Sequence, residues 1–256
     1  MSVLMTFEQP LNERIRTFLR IEHLHDQLQR FMQQSEGAAL RMAVITLLDL
    51  SVATARSDLK NEIIKELDRL LFTINRIAKQ PGVNPAALEQ VLTNLHQTVE
   101  MLRQLNCPIG QNAREDEFLK AIGQRSSLPG GACRFDLPHY HYWLLQPTDL
   151  HRAWFAHWLA DLEPAITAIQ LILSLIRNSA ETRTLTAHEG FFQEALNPEL
   201  PVQLLRVWLA PATNCYPEIS GHKNRYSIRF INVALDGRAT TACHEDVPFN
   251  LACCVF

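Results

Sequence analysis

The run Ser220-Gly221-His222-Lys223-Asn224-Arg225-Tyr226-Ser227-Ile228-Arg229-Phe230 holds the densest set of side chains able to bind a charged group. In an extended strand Tyr226, Ile228 and Phe230 face one side, and Arg225, Ser227 and Arg229 the other. No acidic residue lies between Glu218 and Asp236, so Lys223, Arg225, Arg229 and a protonated His222 lack a sequence-local counter-charge. Cations so placed suit an anionic or carboxylate-bearing ligand through charge-assisted hydrogen bonds. The competing reading is a solvated outer sheet face. A second basic pair, Arg16 and Arg20, is spaced to share one helix face, with Glu13 and Glu22 near enough to neutralise it at about 0.2–0.5 kcal/mol per exposed pair. His-x-His occurs at His23/His25 and at His139/His141. On a strand two such histidines point the same way, which leaves a metal-dependent enzyme using His139 and His141 as an alternative function. There is no H-E-x-x-H, matched Cys pair, G-x-S-x-G, P-loop or dinucleotide fingerprint, so no metal or cofactor is expected.

The elements that must hold these groups follow from composition and periodicity. The chain has 256 residues, 47% of them apolar and 20% charged, enough for a core in one large domain or two small ones. The net charge of -3 argues against a generally basic nucleic-acid surface. Residues 1–128 balance in charge, so the negative excess lies after 128. Only 9 glycines favour long helices over Gly-rich nucleotide scaffolds. Six cysteines without C-x-x-C spacing, and no secretory apolar segment, read as reduced thiols in a cytoplasmic protein. The longest apolar run, 165–176, falls well short of the roughly 20 residues that cross a bilayer, so a soluble protein without membrane partners is expected.

Helical spacing predicts helices over 8–32 (with Pro10 in the first turn), 38–53 and 57–79, then one opened by Asn84-Pro85, and a shorter one over 115–124. Ile63, Leu67, Leu70, Ile74 and Ile77 form a heptad seam, expected to pack on the next helix as an αα-hairpin and on a second copy of the chain. Pro81-Gly82 reads as the stop between the two helices. After Pro129-Gly130-Gly131 the pattern alternates: Phe135, Leu137, His139, His141 and Trp143 share one parity, predicting an edge strand over 133–145. Thr148 or Asp149 is expected to cap a long helix to about 176, kinked or split at Pro164. Strands are expected over 203–209, 226–233 and 247–254, with a turn at Asp236-Gly237, all joining the 133–145 strand in one antiparallel sheet. The fold class is α+β. An N-terminal α-helical domain with long antiparallel helices takes 1–128 with 148–182, and dimerises. An antiparallel β-sheet domain, formed mainly by the C-terminal part, takes 129–147 with 183–256.

The residue runs Phe7–Glu22 (opening Phe7-Glu8-Gln9-Pro10-Leu11-Asn12-Glu13), Lys65–Arg69, Arg114–Asp116, Pro129–Pro138, Leu175–Arg177, Ile219–Lys223, Ile228–Phe230 and Leu251–Cys254 resemble, in order, the ZapD family of cell-division proteins. The resemblance covers nearly the whole chain. His139, Val255-Phe256 and the stretch 187–201 depart from the family pattern. It implies a non-enzymatic homodimer with a helical and a β domain, cytoplasmic and located at the mid-cell division ring. Such proteins bind the C-terminal tail of FtsZ and bundle FtsZ filaments, promoting assembly and stability of the ring. Carried onto the matching runs, the resemblance gives Arg16, Arg20, Arg114, His141, Lys223, Arg225 and Arg229 as tail-binding residues, expected at the junction of the two domains.

Overall fold

The computed structural model describes residues 4–34, 37–78, 84–126, 128–211, 213–222, 224–233 and 240–256. The chain divides into two compact units, one of 1–16 with 173–256 and one of 17–172. The fold is α+β: the second unit is helical, and the first carries the strands.

The helical unit starts within α1 (Glu13–Met32) and continues through α2 (Gly37–Ala53), α3 (Leu59–Ile77) and α4 (Pro85–Gln104). The short α5 (Gln111–Glu115), α6 (Glu117–Ser126) and α7 (Pro138–Leu144) follow, then α8 (Thr148–Leu159) and most of α9 (Glu163–Arg177). Helix α1 starts later than periodicity predicts. The Asn12 carboxamide accepts from the Ile15 amide at 2.9 Å, and a side-chain cap fixes the first turn more firmly than a tolerated proline. Asn84 caps α4 as expected, accepting from Ala86 and Ala87, with Pro85 at the first helical position. Helices α3 and α4 pair antiparallel: the Lys60 ammonium donates to the Leu105 carbonyl at 2.6 Å, and Asp68 faces Arg103 at 3.9 Å. Ile63, Leu67 and Leu70 are fully buried within the chain and Ile74 is 6% exposed. Most of the seam is therefore spent inside the unit, and Ile77 at its end is half-buried. The Pro81-Gly82 stop lies outside the described residues.

The expected strand over 133–145 is instead a turn over 133–137 followed by the helix α7. Pro138 takes the first position of α7, where its missing N–H costs nothing, and the His141 amide donates to the Leu137 carbonyl at 3.0 Å. The buried residues are Tyr140 and Trp143, three apart, and they face Phe118 of α6, with Trp154 and Trp158 of α8 in the same aromatic cluster. Period two over a short aromatic run is ambiguous, and packing against three helices decides it. Burial pushes the Tyr140 hydroxyl up to about 12. The segment 129–147 accordingly belongs to the helical unit. The loop before α7 is tight: a Cβ on Gly131 would come within 2.3 Å of the Arg125 carbonyl oxygen. Helix α8 starts after Pro147 without a side-chain cap from Thr148 or Asp149, and Pro164 is the second residue of α9, after a bend of 73°. Among the described residues no single helix is long and apolar enough to cross a membrane.

The strand-bearing unit contains two sheets rather than one. The first has the order β1-β4-β8-β2, from β1 (Met5–Pro10), β2 (Arg183–Ala187), β4 (Val202–Leu209) and β8 (Val247–Val255). The second has the order β3-β6-β5, from β3 (Phe191–Ala195), β5 (Cys215–His222) and β6 (Arg225–Asn232), with β7 (Thr241–Ala242) also on β6. All described pairings are antiparallel. The sheets share one core in which Phe230 and Phe192 of one meet Phe249 of the other at ring distances of 5.3 Å. Each such buried ring contributes about 1.5–3 kcal/mol. Strands β4, β6 and β8 fall where alternation predicts them; β1 and β5 contain prolines and are edge strands, where a missing donor is tolerated, and Pro248 of β8 lies before the stretch paired with β4. The Asp236-Gly237 turn lies outside the described residues. A Cβ on Gly190, at φ 69°, would approach the Cys243 carbonyl oxygen to 2.2 Å, so only glycine fits the turn into β3.

Two charge clusters tie this unit together. The Glu8 carboxylate accepts from Arg177 at 2.9 and 2.8 Å and from Arg206 at 2.8 Å, and the Arg206 guanidinium lies 4.8 Å from the Trp208 ring centre. Arg183 donates to Glu194 at 3.0 and 2.6 Å, and the buried Tyr226 hydroxyl also donates to Glu194. The Arg183 guanidinium holds the Glu194 carboxyl below its usual 4.5.

Glu8→Ala leaves two half-buried guanidiniums without their shared acceptor. It is expected to lower unfolding stability by about 1–3 kcal/mol, read from the urea midpoint. Glu194 has a depressed folded-state pKa, so its stabilisation is present above its unfolded value and is lost as pH falls through the folded value. Wild type should therefore lose more stability than Glu194→Gln between about pH 6 and pH 3, in paired denaturant titrations.

Candidate partner-binding surfaces

Strand β6 sets the first surface. Tyr226, Ile228 and Phe230 are at most 1% exposed in the core, which turns Arg225, Ser227 and Arg229 outward, as the alternation predicts. Register places Phe191, Arg229 and Glu218 in one row across β3, β6 and β5, Gln193, Ser227 and Ser220 in the next, and Ala195, Arg225 and His222 in the third. Arg225 and Arg229 are exposed and form no ion pair among the described residues, although Glu218 stands opposite Arg229. A cavity of about 620 Å³ opens here, with Arg225, Asn224, Gln193, Ser220 and Ser227 on its walls. The exposed Phe191 supplies an apolar neighbour. The arrangement offers cations, hydroxyls, carboxamides and one ring to an extended acidic ligand. Arg16, in the same unit, is held by Glu13 at 3.1 Å in an exposed pair of the kind worth little. Lys223 lies outside the described residues.

The helical unit carries a second basic surface. Arg20 is exposed and has no partner among the described residues. One turn earlier, Thr17 accepts from Arg56 at 3.4 Å. Arg56 also donates to Asp58 and Glu62, both at 3.1 Å, and these carboxylates raise its pKa, with the Asp58 hydrogen bond the largest cause. A cavity of about 400 Å³ gathers Arg56, Lys60 and Arg114. Arg114 is half-buried and donates to the Ile109 carbonyl at 2.5 Å, which anchors the loop before α5 as well as presenting charge. Arg56 and Lys60 were not among the residues the sequence singles out. The signal available was two cations four apart at a helix start, with Asp58 and Glu62 among them.

His141 is half-buried on α7. On a helix His139 and His141 project about 200° apart, so the shared direction a strand would give them is lost. His139 instead packs edge-on against Phe118 at 5.0 Å. No group of three or more metal-ligating side chains occurs among the described residues. The motive for a metal-dependent enzyme at these histidines falls with the strand. Of the expected residues, then, Arg16, Arg225 and Arg229 belong to the strand-bearing unit, and Arg20, Arg114 and His141 to the helical one.

These features define a class: a two-unit α+β protein bearing open, cationic surfaces. The chain belongs to the ZapD family of cell division proteins, whose pattern it matches over residues 19–229. It is 38% identical over 251 residues to a protein from Methylococcus capsulatus, with 98% of each chain covered. It is likewise 38% identical over 251 residues to one from Nitrosomonas eutropha, covering 98% of this chain and 99% of the relative. A third, from Nitrosomonas europaea, is 35% identical over 248 residues, covering 97% and 94%. All three bear the name Cell division protein ZapD.

Because Arg225 and Arg229 stand off the core, Arg225→Glu and Arg229→Glu should each change thermal-unfolding stability by no more than about 0.5 kcal/mol. Tyr226→Ala, one residue along the same strand, should cost about 3–5 kcal/mol.

Proposed function

We propose that this chain is a non-enzymatic division adaptor: it binds the C-terminal tail of FtsZ and cross-links FtsZ filaments, in the cytoplasm at the mid-cell ring. The observation that carries the reading is the outward Arg225 and Arg229 on one sheet face, without ion-pair partners among the described residues, in a chain of a division family. The tail resemblance supplies a partner of matching chemistry, a short mobile peptide with acidic and apolar residues. An extended acidic peptide along β3 and β6 would meet both arginines, with Phe191 available to an apolar side chain. Arg20, Arg56, Lys60 and Arg114 give the helical unit a further anionic contact. A homodimer presents each surface twice. Filaments display many tails, so weak single contacts add by effective concentration, and one dimer can hold two filaments.

The test is co-sedimentation of the full chain with polymerised FtsZ, with and without its C-terminal tail, over a salt series. From about 0.05 to about 0.5 M salt the screening length falls from roughly 14 to 4 Å, and tail affinity should drop severalfold. Arg225→Glu should weaken tail-peptide binding by about 1–3 kcal/mol. Bundling that persists with tailless FtsZ would sink the proposal, and affinity flat with salt would return the arginines to ordinary surface residues.

A further inference from the structure

Strand β3 is an edge of the second sheet, paired with β6 on one side and with no strand on the other among the described residues. Two hydrogen bonds fix the phase of the pairing. The Phe230 amide donates to the Gly190 carbonyl at 2.8 Å, and the Leu196 amide to the Asn224 carbonyl at 2.9 Å. In an antiparallel pair such bonds recur at every second residue, so Phe192 and Glu194 also turn their main-chain groups toward β6. Phe191, Gln193 and Ala195 turn theirs away from it. The Phe191 amide closes the turn onto the His188 carbonyl at 3.0 Å. The amides of Gln193 and Ala195, and the carbonyls of Phe191, Gln193 and Ala195, have no partner among the described residues. Burial agrees with an uncovered edge: Phe192 and Glu194 face the core yet are only half-buried, whereas Ile228, opposite Phe192 on β6, is fully buried.

A row of free amides and carbonyls is a template for one more strand. The other edges are less suited to that. Strands β1 and β5 carry prolines, and the only cation in the rows of β2 is Arg183, which Glu194 engages. Strand β3 has neither proline nor lysine. The side chains beside it define what an added strand would carry. On the outer face the row through Ala195 runs on to Arg225, and the row through Phe191 runs on to Arg229. Ala195 is small and exposed, so a long acidic side chain on an added strand can pass over it to Arg225, two strand spacings or about 10 Å away. Phe191, 44% exposed, stands before Arg229 and offers its ring to an apolar side chain. The two rows are four residues apart along β3. An acidic and an apolar residue at that spacing would match both.

We propose that the free edge of β3 takes an extended acidic peptide as an additional strand, held by the outward main-chain groups of Gln193 and Ala195, with Arg225 receiving an acidic side chain and Phe191 an apolar one. This rests on the tail-binding reading and gives it a mode: main-chain pairing supplies affinity, and the two side-chain contacts fix register and direction.

Anisotropy of a labelled FtsZ tail peptide on the full chain tests it, with circular dichroism as the check on folding. Each amide of the peptide is N-methylated in turn. On an added strand alternate amides face β3, so methylation at every second position of the bound stretch should weaken binding about tenfold or more, and at the positions between by less than about threefold. Gln193→Pro and Ala195→Pro each delete one outward amide and no bond to β6, so both should fold and bind the peptide at least about fivefold more weakly. Should either fail to fold, the methyl scan on wild type decides alone. A scan without alternation, or folded proline variants that bind as tightly as wild type, would overturn strand addition and leave tail binding through side chains intact. Proline variants that lower self-association of the chain at unchanged tail affinity would assign the edge to a second copy and overturn it too. A wild type that binds no tail peptide would overturn the tail-binding reading itself, and this mode with it.

Discussion

Everything on the strand-bearing unit depends on one constraint: β6 has to fill a core with every second side chain. Tyr226, Ile228 and Phe230 meet the opposite sheet, and a shift of one residue would drive Arg225 and Arg229 into that core. The cost of burying two guanidiniums fixes the register more strictly than any turn could. The same constraint therefore keeps the cations outside, on a face stiffened from behind by packed rings. A surface built this way holds its charges in place before a ligand arrives, so little ordering entropy remains to be lost on binding.

The charges fall into two populations. Glu8, Arg177 and Arg206 are half-buried and mutually satisfied, and the more exposed Arg183 is paired with Glu194, which also accepts from the buried Tyr226. These groups hold elements together, and their charges are engaged by one another. Arg20, Arg225 and Arg229 stand exposed without such partners among the described residues, so their field extends outward. Arg56 and Arg114 lie between the two populations, engaged by carboxylates or a carbonyl yet open to a cavity.

The long helices and three of the strands were legible because each is long enough for its period to repeat. Asn84 and Pro85 announced α4 by cap chemistry, and Arg225, Ser227 and Arg229 were readable as one face. What misled was short or edge-bound. The segment 133–145 alternates in type, but Pro138 and the rings of Phe118, Trp154 and Trp158 make a helix of it. Strand β1 was hidden by its neighbour: the apolar spacing of α1 ran backwards through Pro10 until the Asn12 cap stopped it. The heptad seam of α3 was readable as a packing face, and α4 lies beside it as the hairpin predicts. Pairings between residues far apart in sequence, such as Glu8 with Arg177, have no local pattern at all.

The edge strands β1 and β5 carry Pro10 and Pro217, and these prolines matter beyond their own sheets. At high local concentration a protein meets its own copies constantly. An open strand edge would then recruit the edge of a neighbour, and each addition would expose another. Proline removes an amide from the row that such growth requires. Edge-to-edge growth through β1 and β5 is thereby disfavoured. The molecule can thus be concentrated without these two edges templating a sheet of its own copies.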